Sequence, residues 1–154
     1  MAEFRKYLSN DGTGATEHIM YFSHGVDGDK TSDDNANIVF VAPCAGKIVS
    51  VVGAVVENGS DATNPLTMAF VVKKNTTAVC STDPAIAKTA ASDATVNTYA
   101  SGTGITQAVL KTDTTPVCAG GDIITVDYDI TRTASPTTEI AGPSVVIGFK
   151  PYAV

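Results

Sequence analysis

Tryptophan is absent from this chain, and five Phe and five Tyr in 154 residues leave few aromatic rings to fill a core. The interior must then be built from Val, Ile, Ala and Thr, whose composition favours strands. No apolar run approaches the roughly 20 residues that cross a bilayer as a helix, so no membrane partner is expected. Basic residues are scarce: ten Lys and Arg against sixteen Asp and Glu give a net charge of −6. The densest basic pairs are Arg5-Lys6 and Lys73-Lys74. Nucleic acid, which is bound by replacing counterions with clustered cations, is therefore not an expected partner. The first ten residues lack the apolar stretch of a secretion signal, which points to synthesis in a cytoplasm. Cys44, Cys80 and Cys118 are too few and too widely spaced for a disulfide scaffold or a zinc ribbon. They read as small buried thiols, with a Cys44–Cys118 pairing left open.

The most informative segment is Gly46 to Glu57, a strand that is apolar on both faces. Strict alternation puts Ile48, Val52, Ala54 and Val56 on one side and Val49, Val51 and Val55 on the other. An antiparallel strand normally meets the core with one face and water with the other. The row Val49, Val51 and Val55 is accordingly the candidate subunit interface.

At 154 residues one domain is expected, large enough to bury about 70% of its unfolded surface. Residues 1–17 read as an N-terminal arm and tether, and residues 18–154 as the folded domain. The tether, 9–16, is Ser-Asn-Asp-Gly-Thr-Gly-Ala-Thr, a composition that holds no regular structure. Ahead of it, Phe4, Arg5, Tyr7 and Leu8 read either as an arm that orders on contact or as a frayed terminus.

Further strands are predicted at 18–24, 37–42, 66–73, 76–80, 105–110, 122–133 and 144–150. Asp83-Pro84 has the order of a helix start, which predicts a short helical insertion over 85–91. In the strand 122–133, Ile124, Val126, Tyr128 and Ile130 alternate with Thr125, Asp127, Asp129 and Thr131, one face dry and the other wet. Strands at this spacing with almost no helix predict an all-β, single-domain antiparallel β-sandwich. Two Cys-Ala-Gly turns, at 44–46 and 118–120, each feed a long apolar strand and are expected at the same end of the sandwich.

Chemistry is sparse. His18 and His24, six apart on one strand, would lie about 20 Å from each other and cannot share a metal. The loop residues Asp27, Asp29, Asp33 and Asp34 have the oxygen density calcium favours, but the glycine at position six and glutamate at twelve of an EF-hand are missing. A solvated acidic loop is the simpler reading. Asp127 and Asp129 share a strand face about 7 Å apart, yet no aromatic platform for a sugar accompanies them. No cofactor and no catalytic group is expected, and the chain does not read as an enzyme.

Two segments carry a family resemblance: 38–51, Ile-Val-Phe-Val-Ala-Pro-Cys-Ala-Gly-Lys-Ile-Val-Ser-Val, and 116–128, Pro-Val-Cys-Ala-Gly-Gly-Asp-Ile-Ile-Thr-Val-Asp-Tyr. With the closing Val145 to Pro151, the chain resembles the small jelly-roll decoration, or cement, proteins of tailed-bacteriophage heads. The resemblance implies a sandwich of jelly-roll type and a homotrimer on the outer surface of a virion capsid. It also implies the major capsid protein as partner and assembly in the host cytoplasm. Phe4, Arg5, Tyr7 and Leu8 are then the expected capsid contacts. The competing reading is a carbohydrate- or receptor-binding β-sandwich, such as a fibre tip or lectin-like module, with Tyr99, Tyr128 and Tyr152 as the rings available.

Overall fold

The computed structural model describes residues 18–59, 66–87, 94–131 and 138–152. Eight strands form the frame. They are β1 (Met20–Gly25), β2 (Asp34–Val41), β3 (Gly46–Val55), β4 (Thr67–Lys74), β5 (Ala85–Ala87), β6 (Val117–Cys118), β7 (Ile123–Thr131) and β8 (Ser144–Pro151). Antiparallel pairing joins β1 to β8, β2 to β7, β3 to β6 and β4 to β5. That is the pairing of one long hairpin folded on itself. Rolling the hairpin sets β8 beside β3 and β7 beside β4. The result is two facing sheets, ordered β1-β8-β3-β6 and β2-β7-β4-β5. This is the jelly roll expected from the sequence, and the chain is all-β.

The core lies between the sheets. Phe22 and Phe40 stack with centroids 4.0 Å apart, and Phe149 meets both edge-on. Phe70 and Tyr128 make a second edge-on pair at 5.9 Å. Aliphatic side chains such as Ile48, Val72, Ile86, Ile124 and Ile147 fill the rest. Gly53 of β3 is one reason so few rings suffice. A Cβ there would sit 2.3 Å from the Phe70 ring, so the bare backbone lets that ring lie flat against the opposite sheet.

The short helical insertion is not seen. Ala85–Ala87 is instead the strand β5, paired with Thr67 to Ala69 of β4. Phe70 N–H donates to the Pro84 carbonyl at 3.0 Å, so the chain already runs along β4 when it reaches Ala85. Seven residues nucleate a helix poorly, whereas the strand buries Ile86 completely. Residues 88–91 of that expectation lie outside the described residues. The single strand predicted at 105–110 is also divided. Ile105–Thr106 pairs with β5, while Val109–Leu110 pairs with Cys80–Thr82.

The two Cys-Ala-Gly turns meet at one end, as expected. Cys118 pairs with Gly46, Ala42 N–H donates to Asp122 O, and Gly121 N–H donates to Ala42 O. All three cysteines are free. Burial pushes the Cys80 thiol up to about 12 and raises that of Cys118, which leaves both poor nucleophiles.

Gly53→Ala is expected to lower stability by about 1–3 kcal/mol, the usual cost of forcing a methyl into a filled core. Urea denaturation of the two proteins checks this, and an unchanged midpoint would show that Phe70 has room to move.

Candidate interaction face

The outer face of the β1-β8-β3 sheet gathers apolar side chains with no acidic residue on its strands, and a bulge in β3 shapes it. Ile48 pairs with Phe149 but Ser50 pairs with Gly148, so two steps along β3 match one along β8. The extra residue, Val49, reverses the phase of everything after it. Ile48, Val51 and Val55 therefore all point inward, at 0%, 4% and 1% exposure. Val49, Ser50 and Val52 share the outer surface.

This corrects the interface row predicted from strict alternation. Val51 and Val55 belong to the chain's own core and cannot meet another subunit. Val49 alone of the three lines the outer face, with Val52 in place of the other two. A bulge carries no residue signature that alternation could reveal.

Around Val49 and Val52 stand Ile19, Tyr21, Val146 and Tyr99. Gly148 lets them close ranks, since a Cβ there would meet Ser50 Oγ at 2.4 Å with Ile19 and Tyr21 just beyond. Tyr21 and Tyr99 are 67% and 77% exposed. Tyr99 is held by its backbone: its N–H donates to Asn97 Oδ1 at 3.0 Å, and its carbonyl accepts from Gln107 Nε2 at 2.6 Å. Two exposed rings, one on β1 and one just beyond the Val96–Asn97 strand, are a common form of contact anchor. None of the sixteen acidic residues lies on a strand of this sheet. Its only charges are Lys47 and Lys150, side by side at one end.

The opposite sheet also exposes Ile38, Val41 and Ile123, but its strands carry acidic residues. Thr125 and Asp127 were expected on a wet row, yet they are 9% and 5% exposed. Lys73 pairs with Asp127 from β4. Ala36, in the left-handed region at φ 62°, donates its N–H to Asp127 Oδ1 at 2.8 Å. Asp127 thus braces two neighbouring strands and is a structural group. The hydrogen bond and charge of Asp127 raise the Lys73 ammonium above its ordinary value. Asp83 and Asp129 nearby are both raised, first by burial and then by neighbouring carboxylates.

The acidic loop does not gather its oxygens. Asp33 accepts from Ile130 N–H, Asp34 pairs with Lys30 and accepts from Asn37, and Asp29 sits in a short strand against Ala141. Among the described residues, no three His, Cys, Asp or Glu side chains converge as metal ligands. His24 is tied into the core: Tyr128 O–H donates to the His24 carbonyl, and the same hydroxyl lies 2.9 Å from Nδ1. Tyr128 is wholly buried, which removes it from the rings available to a sugar, whereas Tyr99 and Tyr152 stay exposed. Tyr21, on the first strand, was missed. Phe4, Arg5, Tyr7 and Leu8 lie outside the described residues.

No protein-family model matches this chain, and no curated protein does. Among solved structures, the chain is similar to one in the capsid asymmetric unit of cyanophage Pam1, at 15% identity and a TM-score of 0.42, covering 94% of this chain and 91% of that one. It is also similar to a chain of desmodium yellow mottle tymovirus, at 8% identity and a TM-score of 0.37, covering 92% and 91%.

Asp129→Asn should stabilise the fold at neutral pH by about 0.5–1 kcal/mol, the scale of a partly exposed charge interaction. The sign follows from the raised carboxyls: the fold disfavours their ionised form, and that penalty sets in as pH rises past the ordinary value of 3.8 and is complete above their folded values. Below the ordinary carboxylate value of 3.8 both states are protonated and the gain should vanish. Melting curves at pH 7 and pH 3 check it.

Proposed function

We propose that this chain is a structural virion protein that decorates the outer surface of a capsid as a homo-oligomer and stabilises the shell. The observation that carries this reading is the apolar, acid-free outer face of the β1-β8-β3 sheet. A protein of net charge −6 that keeps its carboxylates off one sheet presents that face for contact and the remainder to solution. Val49, Val52, Val146, Tyr21 and Tyr99 rest against the major capsid protein. Phe4, Arg5, Tyr7 and Leu8 of the leader add a second, separate contact that gains affinity by ordering when it docks. Binding to the assembled shell then stabilises it by mass action. The turn segments at 38–51 and 116–128 are the sequence support for a capsid partner.

A second reading has one observation in its favour. Tyr21 and Tyr99 line one groove together with Ser50 and Val52, and exposed rings beside a groove are what a sugar stacks on. Binding on a glycan array that is lost in Tyr99→Ala would favour it over capsid decoration.

Sedimentation with empty expanded capsids from the same source tests the main reading. Val52→Asp should weaken pelleting at least ten-fold, because it places a charge at the centre of the contact. Deleting residues 1–10 should weaken pelleting while leaving the number of chains in the oligomer unchanged. Full binding by the Val52→Asp protein would remove the face from the argument, and full binding by the truncated protein would remove the arm.

A further inference from the structure

The two principal sheets have four edges, and three of them are blunted. One ends in the two-residue strand β6 and the short Val96–Asn97 strand, both on the same side of β3. Another is capped beyond β5 by the two residues Ile105–Thr106. The third, β2, carries Asp34, Asn35 and Asn37, a left-handed Ala36, and two register shifts against β7. Charge, bulges and shortness are the ordinary means of keeping a sheet edge from pairing with another chain.

β1 uses none of these. Its six residues, Met-Tyr-Phe-Ser-His-Gly, contain no carboxylate, lysine, arginine or proline, and they pair with β8 without a register shift. Among the described residues no strand lies on its other side. Its inward side chain Phe22 stacks on the Phe40 ring of β2. Tyr21 and Ser23 alternate outward on the apolar face described above.

We propose that the open edge of β1 pairs with β1 of a second copy of this chain, antiparallel, about a two-fold axis near Phe22 and Ser23. This deepens the proposed oligomer and rests on it for the expectation that copies associate. The occupant is a second copy because β1 is the one unblunted edge of the principal sheets, and an isologous contact needs the same surface twice. Electrostatics agree. Two chains of net charge −6 repel, and this sheet is the part of each that brings no carboxylate to the seam. Pairing joins two four-stranded sheets into one continuous sheet whose outer faces run together. The contact face for a shell is thereby doubled, and two linked contacts bind far better than one. The symmetry is two-fold in place of the three copies that the family resemblance implies.

Sedimentation of the full chain over a range of concentrations, with hydrogen exchange at the β1 amides, tests this. Ser23→Lys and Tyr21→Lys each place a lysine on the exposed side of β1, and in the proposed pair the cation introduced by Ser23→Lys would face its symmetry mate. The wild type should be a dimer or a multiple of two with slowly exchanging β1 amides. Each variant should have half the mass, fast exchange along β1 and an unchanged far-ultraviolet spectrum. A wild-type assembly of three copies overturns the inference. So does wild-type mass retained in both variants, or a wild-type monomer whose β1 amides are protected by its own leader. Capsid pelleting separates this from the functional reading: a monomeric wild type that still pellets with shells defeats the strand pairing alone. An even-numbered assembly that never pellets defeats capsid decoration alone.

Discussion

The bulge at Val49 is the constraint on which the arrangement turns. Ahead of it, Gly46 and Ile48 face inward, and Gly46 leaves so little space that a Cβ would reach 2.3 Å from the Phe149 ring. Beyond it, Val51, Gly53 and Val55 face inward, with Gly53 flat against Phe70. An unbroken alternation cannot satisfy both halves, because Gly46 and Gly53 have opposite parity. The extra residue reconciles two aromatic contacts at the two ends of one strand. Its by-product is that Val49, Ser50 and Val52 crowd the outer surface, where an ordinary strand would show polar side chains. Core packing and the uncovered face are thus two consequences of one irregularity.

Much of the fold is legible in the residues. The strand regions carried by Phe70, Val72, Ile124, Val126 and Tyr128 follow from alternation, because those side chains do all point into the core. The two Cys-Ala-Gly turns indicate their shared end because each must reverse the chain tightly beside a long strand. Other features depend on partners far away in sequence. Asp127 reads as solvent-facing from its own strand, and only Lys73 and the left-handed Ala36 reveal that it is enclosed. Ala85 to Ala87 has the composition of a helix, but β4 offers it an open edge and a pocket for Ile86. Tertiary pairing overrides local preference there.

The candidate face was legible only in part. That one side of 46–57 lacks its own cover can be read from the valines, while the identity of that side cannot. Tyr21 and Tyr99 reach the same groove from distant parts of the chain, brought together by the pairing of β1 with β8, β8 with β3, and β3 with Val96–Asn97 just ahead of Tyr99. Sequence distance hides such a site. Charge gives a better signal than valine content: once the strands are assigned to sheets, all acidic residues fall outside the β1-β8-β3 sheet.

That partition bears on why the face remains uncovered. Folding alone gains nothing from outward valines and tyrosines, since their burial requires a second body. It does not forbid them either, because solubility is supplied by the surplus of carboxylates on the other sheet and in the loops. A chain under pressure only to fold would be expected to place at least one Asp or Glu among the outward positions of β1, β8 and β3. Their absence from every one of those positions, alongside a rim strand with no defence against pairing, is the feature that the proposed contact would use. In that proposal the acidic remainder of the surface, at a net charge of −6, supplies the repulsion that holds copies apart elsewhere.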